Sequence, residues 1–330
     1  MAFSHQDVIM PRELQNPTDP FIEPITRMAV DVSYLGPPDS FSGVIANRLF
    51  GHNPVWPISR HPTLIPRKSI DDVLADVQHI PGAFGVLPYE NSKTEPLLDV
   101  VQALFSLDFR VIHEAKLRVN LMLAGPGASL EDVREIYSHE KAIKQAHSFL
   151  SKGDYITVPI DSTSAAAEKV AAMRDKKVAA VCGKTAANRC GLTIIRENIQ
   201  DIKNNKTRFL VIRAADVNEL PDLDFLRSRA FRDTKRSAKI MGVASPVKPA
   251  SQNGFNEMAN FMISWNLVVM APRGIRNNES LDDDDHEDYL LEFIGKPANL
   301  LEAFGNPDTY RHIMQFKRLG VFPVGFVYTE

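Results

Sequence analysis

The chain has 330 residues, of which 44% are hydrophobic and 24% charged, a balance typical of a folded protein with room for two or three hydrophobic cores. A formal net charge of −3 excludes the basic surface with which nucleic-acid-binding proteins displace counterions from phosphates. Cys182 and Cys190 are the only cysteines and form no CxxC pattern, so neither a disulfide scaffold nor a zinc site is expected.

Residues 1–28 are expected to form an N-terminal extension, because they contain four prolines and no apolar stretch of signal-peptide length. Further along the chain, no segment approaches the roughly 20 uninterrupted apolar residues that a membrane span needs. The sequence therefore predicts a cytoplasmic protein that does not enter a membrane.

From residue 29 onward, short apolar runs alternate with amphipathic stretches, which predicts an α/β fold with a mostly parallel sheet. The expected strands are rich in β-branched residues and cover 30–35, 84–88, 110–124, 155–159, 178–182 and 209–213. The expected helices each follow a serine N-cap and cover 41–50, 70–78, 130–135 and 163–173.

A charged stretch with a central proline follows, and residues 215–235 are expected to link two units. Residues 236–330 predict the βαββαβ order of a ferredoxin-like fold, with its last helix at 307–319 and its last strand at 321–328. An acidic run at 282–288 is expected to be a solvated hairpin tip, because a calcium loop needs alternating ligands and a glycine at fixed spacing.

Polar groups suited to an anionic ligand occur at four junctions between the predicted elements. Two are helix starts, where free backbone N–H groups favour negative charge, and a third follows a strand. The fourth carries an arginine able to form a bidentate contact with a carboxylate. Each junction alone is better explained as an N-cap or a strand entry than as a ligand site. Because no glycine-rich nucleotide fingerprint is present, the set indicates a small organic acid with several negative charges. The junctions are residues 36–42, 161–167, 87–92 and 204–209.

The order and spacing of these segments resemble those of the prephenate dehydratase family. Residues 36–42 are similar to the family's Gly-Pro-x-Gly-Thr-Phe-Ser, and 84–92 to its Val-Pro-Ile-Glu-Asn-Ser. Residues 137–139 read Tyr-Ser-His, as in the family's Tyr-Ser-His-Pro-Gln. The similarity continues through a Ser-Thr-x-Ala-Ala helix at 161–167 and an Asn-x-Thr-Arg-Phe segment ending at 209, so it covers residues 30–213 almost without a break.

The resemblance implies a two-lobed catalytic domain over residues 29–214, built like a periplasmic binding protein, with the active site between the lobes. It implies that residues 236–330 form an ACT domain with a regulatory or dimerising role, and that the protein is a homodimer or homotetramer. The family converts prephenate to phenylpyruvate, water and carbon dioxide and uses no metal or organic cofactor.

The resemblance also assigns roles to individual residues. Thr207 would hydrogen-bond the leaving hydroxyl, Arg208 would hold a substrate carboxylate, and Phe209 would begin the strand that fixes this pair. The substrate-binding donors would be Ser40, Asn91, Ser92, Ser138, Gln145, Ser162 and Thr163. In the second unit, Gly254 and Arg273 would remain from the family's phenylalanine site, whose other motifs are altered, so inhibition by phenylalanine is expected to be weak or lost.

Several positions depart from the family's pattern, namely Asp39, Glu95, Glu140 with Lys141, and Gly183. Glu95 is expected to point outward from the first turn of a helix at 96–107, where a proline at the first position and a nearby acid are favourable. If it points into the cleft instead, a carboxylate about 4 Å from a substrate carboxylate would cost on the order of 4 kcal/mol at an effective dielectric of 20. Two alternatives to a dehydratase therefore remain open. One is a paralogue that decarboxylates prephenate or a related acid without loss of the hydroxyl, and the other is a non-catalytic ligand-binding homologue.

Overall fold

The computed structural model of the chain describes residues 21–51, 62–92, 97–106, 108–127, 129–215, 223–247, 254–265, 267–269, 273–275, 288–325 and 327–329. Glu95 and the acidic run at 282–287 lie outside these residues. The expected fold class is confirmed, because two α/β lobes are followed by a smaller α+β unit. The part of the chain that the structure describes contains no helix that could span a membrane.

The first lobe is a sheet with helices on both faces. Its strands are β1 (Asp31–Leu35), β2 (Thr63–Arg67), β3 (Ala83–Asn91), β4 (Phe109–Arg118) and, from later in the chain, β10 (Lys206–Ala214). Its helices are α1 (Ile22–Met28), α2 (Phe41–Phe50), α3 (Ile70–His79) and α4 (Leu98–Ser106). β1 runs parallel to β2 and β3, whereas β10 runs antiparallel to β3 and β4. The sheet is therefore mixed and not mostly parallel as expected, because β10 re-enters this lobe from the second.

The predicted serine caps place the helices of this lobe. The Ser40 hydroxyl accepts a hydrogen bond from the backbone N–H of Gly43, and Ser69 and Asp72 form a reciprocal capping box. Gly36 has φ of +90°, a conformation that glycine adopts without strain, and it makes the turn from β1 into α2. The start of α2 therefore lies at the carboxyl end of the sheet.

The second lobe is a smaller sheet flanked by short helices. Its strands are β5 (Met122–Gly125), β6 (Glu135–Ser138), β7 (Ile156–Pro159), β8 (Val178–Cys182) and β9 (Thr193–Arg196), arranged β7-β6-β8-β5-β9. Its helices are α5 (Glu140–Gln145), α6 (His147–Leu150), α7 (Thr163–Met173) and α8 (Lys184–Arg189).

The chain passes between the lobes twice, and the two crossings are hydrogen-bonded to each other. The N–H of Val119 donates to the carbonyl of Asn205, and the N–H of Ile199 donates to the carbonyl of Leu121, both at 2.9 Å. The side-chain oxygen of Gln200 accepts from the N–H of Leu121 at 2.8 Å. These bonds tie the crossings into one two-stranded connection at the base of the lobes.

The C-terminal unit has the expected ferredoxin-like order of elements. It contains α9 (Arg229–Thr234), β11 (Ala238–Pro246), α10 (Gly254–Ser264), β12 (Val268–Val269), β13 (Arg273–Ile275), β14 (Asp288–Gly295), α11 (Pro297–Phe304), β15 (Met314–Pro323) and β16 (Val327–Thr329). Its strands are arranged β12-β14-β11-β15, with the helices packed on one face around Met258, Phe261 and Phe304.

This unit shares its sheet with the first lobe. Gly320 of β15 pairs with Val111 of β4, and β16 pairs with β4 further along. A side chain at Gly320 or Gly325 would overlap the backbone of β4, so the close approach requires glycine at both positions. In the described part of the chain, the first lobe and the C-terminal unit therefore form one continuous eleven-stranded sheet.

Several sequence predictions of local structure were wrong. The predicted helix at 130–135 is a single 3₁₀ turn followed by β6, and the predicted strand at 110–124 is split into β4 and β5 in different sheets. The predicted helix at 307–319 contains a 3₁₀ turn (Pro307–Thr309) and the first part of strand β15, and the true helix α11 begins earlier with Pro297 at its first turn, a favoured position for proline.

The predicted extension contains a packed helix, α1. Next to it, Phe21 is buried in the core of the C-terminal unit, with its ring centroid 4.7 Å from that of Phe231 in the predicted linker. Ile22 is buried in the core of the first lobe. Residues 21–28 therefore contribute to both cores.

Candidate active site

A cleft of about 980 Å³ separates the two lobes. Its walls are the ends of β2, β3 and β10 and the start of α2 on the first lobe, and the starts of α5 and α7 on the second. Val119 and Leu121 of the interlobe crossing line it as well. The residues that the sequence predicted and that lie on these walls are Ser40, Asn91, Gln145, Ser162, Thr163, Thr207 and Phe209.

Thr207 and Asn91 form a cross-strand pair on the cleft wall. They are directly opposite each other in β10 and β3, and the Asn91 amide donates a hydrogen bond to the Thr207 hydroxyl oxygen at 3.0 Å. Because that oxygen already accepts a bond, the hydroxyl proton is free to be donated to a ligand in the cleft. Phe209, buried one strand repeat further on, fills the wall behind them.

Arg208 does not lie where the sequence analysis expected it. Its guanidinium is buried on the opposite face of β10, in ion pairs with Glu90 at 3.1 Å, Glu114 at 2.8 Å and Glu292 at 2.6 Å, and it is not among the described residues that line the cleft. The physical reason is the alternation of side chains along a strand, since Thr207 and Phe209 both reach the cleft wall. The expected contact of Arg208 with a substrate carboxylate is therefore corrected.

Two predicted serines are also placed outside the cleft lining that the structure describes. The Ser138 hydroxyl is fully buried and donates to the carbonyl of Val181 at 2.6 Å, which ties β6 to β8. Ser92 exchanges hydrogen bonds with the backbone of Lys206, accepting at 2.7 Å and donating at 3.1 Å. Both serines position strand ends.

The predicted allosteric pair is only partly described. Gly254 is buried at the start of α10, whereas the side chain of Arg273 in β13 lies outside the described residues. Whether the two residues form a ligand site stays a prediction.

Two exposed lysines on opposite walls of the cleft were missed. Lys68 follows β2 on the first lobe, and Lys141 lies in the first turn of α5 on the second. Neither makes an ion pair with any described residue. Lys141 lies just after the carboxyl end of β6, a place where open α/β sheets bind ligands. That position could have identified Lys141 as a candidate binding residue from the sequence.

Arg67 also reaches the cleft, but its charge is already engaged. It donates two hydrogen bonds to Asp76, at 2.6 and 2.9 Å. Burial raises the pKa of Asp76, but the hydrogen bonds from Arg67 and Ser33 outweigh burial and hold that pKa below its ordinary value. Arg67 is therefore less available to a ligand than the two lysines.

Two of the acidic departures form ion pairs with neighbouring residues. Asp39 is buried and ion-paired with Arg189 of α8, so it links the two lobes. Glu140 pairs with Lys144 one turn further along α5, at 2.7 Å. Gly183 is the N-cap residue of α8. Among the residues that the structure describes, no three His, Cys, Asp or Glu side chains come together as a metal site.

The sequence model of the prephenate dehydratase family matches residues 32–217. A bifunctional chorismate mutase/prephenate dehydratase of Neisseria gonorrhoeae is 32% identical over 288 residues, covering 84% of this chain and 74% of that protein. The corresponding protein of Aquifex aeolicus is 32% identical over 190 residues, covering 57% of this chain and 50% of that protein. The chain spans about half the length of most of the curated relatives that it matches.

Solved structures show the same fold. A prephenate dehydratase of Staphylococcus aureus superposes with a TM-score of 0.69 at 21% identity, covering 88% of this chain and 99% of that one. A protein described as a novel type of quorum quenching acylase superposes with a TM-score of 0.68, also at 21% identity, covering 89% and 98%. Proteins described by different activities thus share this fold, so the reaction has to be argued from the site.

Proposed function

Because the chain belongs to the prephenate dehydratase family, we propose that it binds prephenate in the interlobe cleft and converts it to phenylpyruvate, carbon dioxide and water. The observation that carries the proposal is the Asn91–Thr207 hydrogen bond on the cleft wall, which leaves the Thr207 proton free to be donated. A hydroxyl donor at this place is needed only if a hydroxyl leaves the substrate.

The proposed reaction consumes one proton. The bond between the ring and its carboxylate breaks, carbon dioxide leaves, and the electron pair of that bond enters the ring. The bond from C4 to the hydroxyl oxygen breaks in turn, and the departing hydroxide takes up the proton and leaves as water. Since the ring becomes aromatic, the protein has two tasks: to hold a dianion and to stabilise the departing hydroxyl.

Thr207 performs the second task in this proposal. An alcohol is too weak an acid at neutral pH to give up its proton fully, so Thr207 stabilises the charge that develops on the leaving oxygen through a hydrogen bond. Asn91 keeps the hydroxyl oriented, because its amide occupies one acceptor position of the same oxygen.

Lys68 and Lys141 hold the two carboxylates of the substrate, in place of Arg208. They approach from different lobes, so a dianion that contacts both favours a closed cleft. The starts of α2 and α7 add backbone donors, because Ser40 and Ser162 cap only one N–H each and the other first-turn N–H groups have no partner within the helix.

The expected role of the C-terminal unit remains part of the proposal. We propose that residues 236–330 are an ACT-like unit that supports a homodimer or homotetramer and that has lost most of its response to phenylalanine. Support for this comes from the βαββαβ order of elements and from the altered sequence near Gly254 and Arg273.

Incubation of the full chain with prephenate tests the function directly. Phenylpyruvate is followed by its absorbance, and carbon dioxide is measured in the same sample. We expect equal amounts of both. Carbon dioxide without an aromatic product would show a decarboxylase, and binding without turnover would show a ligand-binding protein; either result contradicts the proposal.

A further inference from the structure

A cluster of buried charges lies directly behind the cleft wall and joins the first lobe to the C-terminal unit. We name it the junction cluster, and its members lie on five different strands of the shared sheet: Glu90 on β3, Glu114 on β4, Arg208 on β10, Lys239 on β11 and Glu292 on β14. The Lys239 ammonium lies 2.7 Å from Glu114 and 2.8 Å from Glu292. The cluster therefore contains residues from both units in direct contact.

The members of the cluster depend on one another for charge compensation. The side chains of Glu114, Lys239, Arg208 and Glu292 are 0%, 1%, 4% and 5% exposed. A buried ion of this kind is strongly destabilising when its partner is removed. Lys239 contacts two carboxylates and Glu292 contacts two cations, so the C-terminal unit supplies partners that Arg208 and Glu114 require.

The cluster is connected to the cleft by two adjacent cross-strand pairs. Arg208 lies opposite Glu90, and Thr207 lies opposite Asn91, the next residue of β3. Arg208 faces the cluster, and Thr207 and Asn91 face the cleft. Glu90 belongs to both, because it pairs with Arg208 and also lines the cleft. The ladder between β10 and β3 is locally disrupted immediately after Arg208, whereas Ser92 bonds to the backbone of Lys206 on the other side of Thr207. On the disrupted side, the Arg208–Glu90 ion pair is a side-chain contact that joins the two strands. The Arg208–Glu90 ion pair is thus well placed to fix the position of Thr207 relative to Asn91.

We propose that Lys239 and Glu292 are positioning residues for the reaction in the cleft. They hold Arg208, which with Glu90 fixes the register of the Thr207–Asn91 pair. This inference rests on the proposed function. It means that the C-terminal unit contributes to turnover through its own charged residues, without any of them contacting the substrate.

A double-mutant cycle tests the inference. Lys239→Met leaves one cation against three carboxylates, whereas adding Glu292→Gln restores the parent's charge balance within the cluster. At a temperature where circular dichroism shows each variant folded, we expect Lys239→Met to lower kcat at least tenfold with less than a threefold change in KM. The double variant should have a kcat at least threefold higher than that of Lys239→Met, and Lys239→Arg should retain most of the parent's kcat.

A matched control is the exposed ion pair between Arg311 and Asp308 in the same unit, whose side chains are 72% and 60% exposed. Arg311→Met and Asp308→Asn should leave kcat within twofold of the parent. A folded Lys239→Met variant with unchanged kcat, or strictly additive losses in the double variant, would overturn the inference. Should Lys239→Met not fold, the isosteric Glu292→Gln variant takes its place, with an expected kcat loss of about threefold.

Amide hydrogen exchange separates this inference from the proposed function. In Lys239→Met, amides in segments 88–92 and 205–209 should exchange at least tenfold faster than in the parent, while 178–182 in the second lobe stays unchanged. This result does not depend on turnover. Absence of dehydratase activity in the parent protein would contradict the proposed function alone. Equally faster amide exchange in all three segments of Lys239→Met would show general destabilisation and would contradict the positioning role.

Discussion

Thr207 and Arg208 lie on opposite faces of β10, one in the cleft wall and the other in the junction cluster, and these two regions use charge in opposite ways. On the cleft side, Lys68 and Lys141 are exposed and make no ion pair with a described residue. On the other side, Arg208 and Lys239 are buried and form ion pairs with carboxylates. Two neighbours in one motif therefore have separate surroundings: Thr207 is available to a ligand in the cleft, whereas Arg208 joins the first lobe to the C-terminal unit.

Removing the Arg208 charge should give the largest effect, because it leaves Glu114 and Glu292 buried with a single cation. Arg208→Met is expected to lower the free energy of unfolding by about 3–5 kcal/mol. Urea unfolding of the variant and the parent measures this change. Arg311→Met at an exposed pair should cost less than about 0.5 kcal/mol. A small loss of unfolding free energy in Arg208→Met together with a raised KM would instead indicate that Arg208 contacts the substrate.

Acid should weaken the junction cluster. Burial raises the pKa of Glu114, but Lys239 and Arg208 outweigh burial and lower it to about 2, below the ordinary value of 4.5. Ionised Glu114 therefore stabilises the fold fully above pH 4.5, and this contribution, about 3 kcal/mol, is lost as the pH falls through 2. Urea midpoints between pH 6 and 2 should fall more steeply for the parent than for Glu114→Gln. Parallel curves would contradict the assignment.

Thr207 should affect turnover and not stability, which is the reverse of Arg208. Thr207→Val removes the hydroxyl but keeps the shape, and it is expected to lower kcat at least a hundredfold, about 3 kcal/mol, with little change in KM. Thr207→Ser keeps the hydroxyl and should retain most of the activity. Steady-state kinetics with prephenate measures both variants, and equal rates for the valine variant and the parent would remove Thr207 from the mechanism.

The cleft lysines should give the smallest effect, since each contributes one exposed charge. Lys68→Met and Lys141→Met are each expected to raise KM about tenfold, about 1.4 kcal/mol, with kcat within threefold of the parent. Lys144→Met is the matched control, because Lys144 lies one turn along the same helix as Lys141 and outside the described lining of the cleft. An equal rise in KM for Lys144→Met would show that the lysines act through the overall charge near the cleft and not through contact with the substrate.

Local features of the site could be predicted from the sequence, and long-range ones could not. The serines at 40, 69 and 162 cap helices as expected, because capping depends on residues only three positions apart. The direction of Arg208 follows from strand alternation, but its partner Glu292 lies 84 residues away and no local pattern connects the two. A lysine in the apolar run around Lys239 was the available sign of a buried ion pair.

The difference between local and long-range features also explains the helices and strands that the sequence analysis misplaced. Residues 314–318 alternate in burial, as one face of a strand does, while residues 319–323 are buried throughout because β15 lies between β11 and β4. A fully buried strand and a buried helix segment look alike in sequence, and only the tertiary neighbours decide between them. The split of the predicted strand at 110–124 has a similar origin, since the chain leaves one sheet for the other there.

The shared sheet also has a consequence for synthesis of the protein. β4 is complete by residue 118, and one of its edges pairs with β10. Its other edge pairs with β15 and β16, which begin only at residue 314. At a ribosomal rate of about 5–20 residues per second, that edge stays uncovered for roughly 10–40 seconds. An exposed strand edge invites pairing with other chains. The nascent first lobe should therefore depend on molecular chaperones until the C-terminal strands emerge.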